Sequence, residues 1–500
     1  MATFLKKHYE PILFTLVLIF AVSFSLSSLI TKPKLWYDEG LSVELAKNFF
    51  LYGKLDAMQA PGVFSGNPYL IGGSGYPLTV PLAGFFYFFG LGPEQARVYM
   101  ILWIIAVIFT VFFVARKFFG SPSALFSILL ISTFAPFYGT GRTVLGDIPG
   151  FFFLLWGVYF LMNKKNRETA AFQNHILAGL FFGIALSSKP SVYILLIPAC
   201  FFYFLIFERE NFWRKAGWLI IGAVIPLILW LFSILPDLFS KASWLSAIGL
   251  YLNPYAEYQN SSSPILNIYN NLSNVIFDST LFYFFSMFFI VFWAFFRGKA
   301  RNFYAKESFC FAQFLIIYGA LVLIYFLKSP GWFRYLLPLQ IIIFILFFPA
   351  LIIIFQRFFY KVIRLSSFFL SFRFAVIFSS FLVCIQLYHL FFSSALSYSS
   401  APKIVINFIK NHPDSEFGFI NVPQISSFAS VKSFQYMKFA SGHEVGEHPL
   451  EYPEEKLPEY VIFFKKEPGF DSLVTPYENI LEQYYESVDN ISGYHVFKKI

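Results

Sequence analysis

Long apolar runs constrain this chain more than any other feature of its sequence. A helix of about 20 apolar residues crosses the hydrocarbon core of a bilayer, and slightly shorter ones cross when the bilayer adapts. Eleven candidate spans cover residues 11–30, 97–115, 122–138, 148–162, 174–188, 190–207, 216–236, 281–296, 308–327, 335–355 and 372–393. Only 13% of the 500 residues are charged, against about 25% in a soluble domain. The sequence therefore predicts an α-helical polytopic membrane protein with about 11–12 spans.

The positive charge indicates how the chain is oriented. The net charge of +9 lies mainly in short clusters between the apolar runs, a pattern of cytoplasmic loops rather than of a nucleic-acid-binding surface. These clusters all fall on one side only if segment 77–92, the twelfth candidate, does not cross the membrane. We therefore predict that 77–92 is re-entrant or lies on the outer surface. The N-terminus is then cytoplasmic and the C-terminus extracytoplasmic.

Two long segments, 31–96 and 237–280, are predicted to be external. Within the first, 39–52 has apolar residues near helical spacing, which favours a helix lying along the membrane surface. Segment 61–77 is rich in Gly, Pro and Ser and is predicted to be a loop. The apolar positions of the predicted surface helix are Leu41, Leu45 and Phe49.

The composition changes near residue 398. We predict a transmembrane domain over 1–397 and a small soluble α/β domain over 398–500, on the extracytoplasmic side. Strands are expected at 417–422, 460–464 and 494–497, and helices at 402–410 and 477–485.

Charged and polar residues mark the outer ends of several apolar runs. Charge so close to hydrocarbon is costly unless it is paired or functional. Each position also has a structural explanation. Asp38 and Glu39 can cap the helix that follows, and Arg142 and Asp147 can form an ion pair or a solvated turn. Lys189 can extend to water at a helix break, and Arg334 can prefer the membrane interface. The positions are Asp38, Glu39, Arg142, Asp147, Lys189, Arg334 and Tyr335.

This arrangement suits transfer of a group from a lipid-linked phosphate, because a polyprenyl chain buried in the bilayer holds its phosphate at the interface. Arg142, Lys189 and Arg334 are candidates to bind that phosphate, with Tyr335 beside the last of them. Asp38 is the candidate base that removes a proton from the acceptor hydroxyl. Glu39 and Asp147 would orient the acceptor or hold a divalent cation. If a cation binds here, Asp38 and Asp147 are its possible ligands.

Four motifs in order carry a resemblance to a known class. They are Trp36-x-Asp38-Glu39 after the first span, Arg142-(x)4-Asp147-Ile148-Pro149, Gly183 to Lys189-Pro190, and Arg334-Tyr335-Leu336-Leu337-Pro338. Residues 10–355 resemble the multi-pass glycosyltransferases of the GT-C class, most of all the family 39-like group of dolichyl-phosphate-mannose protein mannosyltransferases and aminoarabinose transferases. The tail resembles no family that we can name.

The resemblance implies an inverting transferase that uses a polyprenyl-phosphate sugar as donor. It also implies that Asp38 is catalytic or metal-associated and that Asp147 assists. Many relatives begin the segment at 77 with a Lys-Pro-Pro-like sequence, whereas Gly75-Tyr76-Pro77 lacks the lysine. Lys189 is the candidate to replace it. Segment 237–280 contains no histidine, so a metal site that recruits histidine from this region is not supported.

Two other classes of function compete with a glycosyltransferase. A transporter or flippase of lipid-linked sugars usually has ionisable residues near the midplane and repeated halves. Here the apolar runs are almost free of charge, and no repeat is evident. A glycan polymerase or ligase would share the lipid donor but not this motif order. The sugar and the acceptor, whether protein, lipid or polysaccharide, do not follow from the sequence.

Overall fold

The computed structural model describes most of the chain. The described residues are 2–66, 73–163, 168–234, 264–278, 283–296, 301, 303–329, 331–363, 368–392, 396–429, 432–438, 444–464, 473–491 and 493–500. Most of the predicted external segment 237–280, namely 237–263, lies outside them.

Helices dominate the first 392 residues. They are α1 (Ala2–Leu26), α2 (Tyr37–Tyr52), α3 (Tyr76–Phe89), α4 (Pro93–Phe119), α5 (Ser121–Ser132), α6 (Ala135–Gly141), α7 (Asp147–Met162), α8 (Glu168–Ser188), α9 (Pro190–Tyr193), α10 (Leu196–Phe207), α11 (Phe212–Ile234), α12 (Pro264–Phe277), α13 (Phe284–Phe296), α14 (Lys306–Lys328), α15 (Leu337–Ile363) and α16 (Phe368–Phe392). A two-stranded hairpin, β1 (Met58–Ala60) and β2 (Val63–Phe64), follows α2.

Each apolar run predicted from the sequence coincides with a helix or a helix pair. Within the described residues, seven stretches are long and apolar enough to cross a membrane, and an eighth is the bent pair α5–α6. That pair turns by 69° at residues 133–134, where Phe134 has an extended backbone and Pro136 lies in the first turn of α6. Proline in the first turn of a helix costs no helical hydrogen bond, and it disfavours helical backbone at the residue before it, so a new helix begins there. The predicted polytopic helical fold is confirmed.

The short helix α3 matches the segment whose crossing was in question. Its 14 residues rise about 21 Å, less than the roughly 30 Å of the hydrocarbon core. Tyr87, Phe88 and Phe89 at its end are exposed. The side of the membrane on which α3 lies stays a prediction.

Helix α2 is more enclosed than its apolar spacing predicted, and its position along the membrane surface stays a prediction. It packs against α3 on one side and against the C-terminal region on the other, and nine of its residues are buried. Even its central charges are enclosed, because Glu44 and Lys47 pair at 2.7 Å and are 1% and 2% exposed. Periodicity identified the helix, but the packing partners decided its burial.

The C-terminal region forms a six-stranded sheet with the strand order β5-β4-β3-β6-β8-β7. Strand β3 pairs in parallel with β4 and β6, and the other neighbours are antiparallel. The strands predicted near 417, 460 and 494 and both predicted helices are present, whereas three strands, β4, β5 and β7, and the short helix α18 were not predicted. The elements are α17 (Ala401–Lys410), β3 (Phe417–Ile420), α18 (Pro423–Ser426), β4 (Ser433–Lys438), β5 (Glu444–Val445), β6 (Tyr460–Phe464), α19 (Glu478–Tyr484), β7 (Tyr485–Ile491) and β8 (Tyr494–Lys499).

One hydrophobic core crosses the predicted domain boundary at residue 397. It joins Val43 of α2 and Leu82 of α3 with Ile406 of α17, Phe419 of β3 and Ile425 of α18. The boundary itself stays a prediction. Because the two parts share a core, α2 is held by both of them.

Candidate active site

Asp38 and Arg334 form the centre of the candidate site. Asp38 lies in the first turn of α2, after the extended residue Trp36. Arg334 lies in a short 3-10 turn, Phe333–Leu336, that leads into α15. Its Nη1 donates to Asp38 Oδ2 at 2.5 Å, and the two side chains are 7% and 35% exposed. The pair is therefore open to a ligand mainly on the carboxylate side.

Three aromatic rings enclose the Arg334 guanidinium. Its central carbon lies 4.5 Å from the centre of the Trp36 ring, 4.8 Å from Trp332 and 5.2 Å from Tyr335. Cation–π contacts stabilise the charge while leaving N–H groups available to oxygen atoms. Tyr335 itself is 2% exposed, so its contribution to the site is to pack against the Arg334 guanidinium.

The carboxylate of Glu39, the neighbour of Asp38, already has a hydrogen-bonded partner. Its carboxylate is 2% exposed and receives two hydrogen bonds from Arg97, from Nε at 2.9 Å and from Nη2 at 2.7 Å. Arg97 is fully buried and also donates to the carbonyls of Leu29 and Pro33, both at 2.7 Å. In this arrangement Glu39 ties α2 to α4 and to the segment before α2. The geometry disagrees with our expectation that it orients an acceptor or holds a cation.

Lys189 lies at the break between α8 and α9 and is 7% exposed. Its Nζ donates to the Gly73 carbonyl at 3.0 Å. Its electrostatic neighbours are Asp147, Arg334 and Asp38. The structure therefore places Lys189 close to the other charged residues of the candidate site. Its role in binding phosphate stays a prediction.

Two glycines allow the chain to close around Lys189. A Cβ on Gly75 would overlap the carbonyl oxygen of Ser187, and a Cβ on Gly146 would overlap that of Ser188. Glycine is used where another backbone approaches this closely. The approach places the starts of α3 and α7 beside the lysine.

Asp147 opens α7 and is 1% exposed. Neither carboxylate oxygen has a hydrogen-bond partner among the described residues. The positive end of the α7 dipole and the nearby charges of Lys189 and Arg334 offset part of the cost of burial. A buried acid with unused acceptors is available to a ligand that enters the site.

Arg142 has a different role from the one predicted. It is 1% exposed, and its hydrogen bonds go to main-chain carbonyls in the last turn of α1 and in the segment after it, including those of Ser27 at 3.2 Å and Lys32 at 2.6 Å. Its guanidinium also packs over the rings of Phe24 and Tyr138. These contacts leave Arg142 neither paired with Asp147 nor exposed to a phosphate. It anchors the C-terminal end of α1.

The positive charges beside Asp38 and Asp147 are unfavourable for binding a divalent cation. Among the described residues, no group of three or more His, Cys, Asp or Glu side chains comes together. Asp38 is paired with Arg334, and Lys189 lies near both acids. A cation would have to displace these positive charges, so the residues present do not fit the metal role considered for Asp38 and Asp147.

Sequence reasoning missed Arg97 and Trp332, and it gave Trp36 no role beyond its place in the first motif. Arg97 carried a signal, since it is a charged residue at the start of an apolar run. Its partner could not be read from the sequence, because Glu39 lies 58 residues away.

Of the seven predicted residues, the structure gathers Asp38, Arg334, Lys189 and Asp147, with Tyr335 as a wall. A bundle of apolar helices, with these acids and cations gathered close to a mixed sheet, is the arrangement that the resemblance to GT-C membrane glycosyltransferases leads us to expect. The comparisons that follow confirm this resemblance in fold.

The comparisons with known proteins agree. The family model described as dolichyl-phosphate-mannose-protein mannosyltransferase matches residues 80–235. The structure of ArnT from Cupriavidus metallidurans bound to undecaprenyl phosphate is similar, with a TM-score of 0.62 at 13% identity, over 97% of this chain and 98% of that one. A search of curated proteins by sequence finds no match.

Two longer enzymes share the fold. The apo oligosaccharyltransferase of Archaeoglobus fulgidus matches with a TM-score of 0.56 at 13% identity, over 92% of this chain and 70% of that one. The arabinofuranosyltransferase AftD from Mycobacteria matches with a TM-score of 0.52 at 10% identity, over 99% of this chain and 40% of that one.

Proposed function

We propose that this protein transfers a sugar from a polyprenyl-phosphate carrier to an extracytoplasmic acceptor, with inversion at the anomeric carbon. The observation that carries the proposal is the meeting of Asp38 with Arg334, beside Lys189 and Asp147. The ArnT structure contains undecaprenyl phosphate, which supports a carrier of this chemical class.

In the proposed reaction the acceptor oxygen attacks the anomeric carbon, and its proton passes to the Asp38 carboxylate. The bond between that carbon and the phosphate oxygen breaks, and its electron pair remains on the phosphate. Arg334 and Lys189 stabilise the negative charge as it develops there. To do so, Lys189 exchanges its hydrogen bond with the Gly73 carbonyl for one with the phosphate.

The remaining site residues are assigned supporting roles. Asp147 offers two unused acceptors to hydroxyl groups of the sugar or acceptor. Tyr335, together with Trp36 and Trp332, keeps the Arg334 guanidinium in place. Glu39 and Arg142 act on the scaffold rather than on substrate. No step requires a metal ion.

The test uses purified protein in liposomes with polyprenyl-phosphate donors carrying different radiolabelled sugars, and with cell-envelope extract as acceptor. Transfer of label together with release of polyprenyl phosphate supports the proposal, whereas movement of the donor between leaflets without transfer identifies a flippase. Asp38→Asn should abolish transfer and Asp489→Asn, at an exposed position in β7, should not. Full activity in Asp38→Asn would refute the assignment of the base.

The site is proposed to face the extracytoplasmic side, with the C-terminal domain on that side too. A tag at residue 500 should be cleaved by protease added to intact cells. Protection of that tag, with cleavage only after lysis, would reverse the proposed orientation.

A further inference from the structure

The helix that carries Asp38 is held by the C-terminal region of the chain. Tyr37 immediately precedes Asp38, and its hydroxyl donates to Asn421 Oδ1 at 3.2 Å. Gly40, two residues after Asp38, lies against α18. A Cβ on Gly40 would overlap the backbone of Pro423 and Gln424. The C-terminal region thus contacts α2 on both sides of the proposed base.

The contact at Gly40 is between two backbones and therefore has little freedom to adjust. A clash with a side chain can be relieved by a change of rotamer, whereas a clash with backbone requires one of the two helices to move. Val43, one turn further along α2, lies in the same hydrophobic core as Val422 and Ile425. The position of α2 is consequently set by where α18 lies.

Asn421 is itself fixed by the sheet. Its φ of 57° is in the left-handed region, which Asn tolerates better than most residues. Its main-chain N–H donates to the Tyr436 carbonyl at 2.8 Å, and its Oδ1 also accepts from the Lys438 N–H at 3.2 Å. Strand β4 therefore holds the acceptor that binds the Tyr37 hydroxyl.

The segments leading into α2 and into the C-terminal region also run side by side. The Lys34 N–H donates to the Ser397 carbonyl at 2.9 Å, and the Ser399 N–H donates to the Thr31 carbonyl at 3.0 Å. These bonds link the approach to α2 with the approach to the sheet domain.

From these contacts we propose that the C-terminal domain is a positioning element of the active site, which holds the Asp38 carboxylate against Arg334 through Asn421 and α18. The inference rests on the proposed function, in which Asp38 is the base. Tyr37, Gly40 and Asn421 touch neither donor nor acceptor in this scheme and act only through Asp38. A misplacement of about 1 Å at a reacting group can cost about 100-fold in rate.

The test compares substitutions that remove one feature at a time. Asn421→Gly keeps the positive φ and removes the acceptor, whereas Asn421→Asp keeps both. Tyr37→Phe removes the donor and keeps the ring. Tyr477→Phe is the matched control, because Tyr477 donates its hydroxyl to Glu451 inside the C-terminal domain.

Two readouts separate positioning from general stability. In steady-state transfer, kcat should fall about 10-fold or more in Asn421→Gly and Tyr37→Phe, while KM for the donor stays nearly unchanged. In Asn421→Asp, which keeps the acceptor, kcat should stay close to the wild-type value. The double variant should be no worse than Asn421→Gly alone, because that variant already removes the hydrogen bond that Tyr37 donates. Hydrogen–deuterium exchange of residues 37–52 should be faster in these two variants and normal in Tyr477→Phe.

The outcomes are distinct. Unchanged exchange and unchanged kcat in both variants would overturn the inference, and so would a loss of kcat explained entirely by a smaller folded fraction. If the wild-type protein shows no transfer, the proposed function fails. The exchange measurement then still decides whether the domain holds α2.

Discussion

Removal of the charge should have different effects at the adjacent acids Asp38 and Glu39: loss of activity at Asp38 and loss of stability at Glu39. Glu39→Gln leaves the fully buried Arg97 without its counter-charge. Breaking a buried ion pair by removing one partner costs about 3–5 kcal/mol, and such a loss is large against a typical total stability of about 5–15 kcal/mol. We therefore expect Glu39→Gln to lower the unfolding temperature and the yield of folded protein.

Asp38→Asn should leave folding nearly unchanged and abolish transfer. The Asp38 carboxylate is 35% exposed, and Asn at this position still offers an oxygen to Arg334. Three aromatic rings also stabilise the Arg334 guanidinium. The loss of stability should therefore be much smaller than for the fully enclosed Glu39–Arg97 pair. A general base contributes about 100- to 10,000-fold to the rate. The expected result is a fall in kcat of at least about 100-fold, with an unfolding temperature close to that of the wild type.

The assay measures thermal unfolding in detergent and transfer per folded molecule for both variants. The double variant Glu39→Gln/Arg97→Met should recover much of the lost stability, because it leaves no unpaired charge in the core. If Glu39→Gln were fully stable but inactive, Glu39 would act on substrate, and our reading of the Arg97 pair would be wrong.

Four further predictions concern particular residues. Burial lowers the pKa of His448 from 6.5 to about 4. As the pH drops, the unfolded state therefore binds the proton before the folded state does. The free energy of unfolding should fall by about 3 kcal/mol at most between pH 6.5 and pH 4. Lys189→Ala should raise KM for the lipid donor about 10-fold or more, whereas Arg142→Ala should lower the unfolding temperature and leave KM for the donor unchanged. Gly75→Ala should reduce transfer because its methyl group would overlap the Ser187 carbonyl.

Each of these has a control. For His448, unfolding temperatures at pH 7 and pH 5 are compared with those of His448→Phe, which keeps a ring against Tyr477. An equal difference in both proteins would contradict the prediction. A raised donor KM in Arg142→Ala would return that residue to the phosphate site. For the glycine, Gly84→Ala is the matched helix variant, since a Cβ there meets no atom within 4 Å.

The sequence by itself determined the helical membrane fold, since apolar runs of this length have few other ways to satisfy their backbone. It also placed Asp38, Asp147, Lys189 and Arg334 at the ends of those runs. Acids and cations at such positions are costly without a use, so each one carried a visible signal.

Only the tertiary structure decided which charges are free for a ligand. Glu39 and Arg142 have the same chemistry as Asp38 and Arg334, but their partners are Arg97 and the carbonyls at the end of α1. Such partners are distant in sequence, and no local pattern specifies them. The same reason explains why α2, amphipathic by its spacing, is buried: the sheet domain that covers it begins more than 340 residues later.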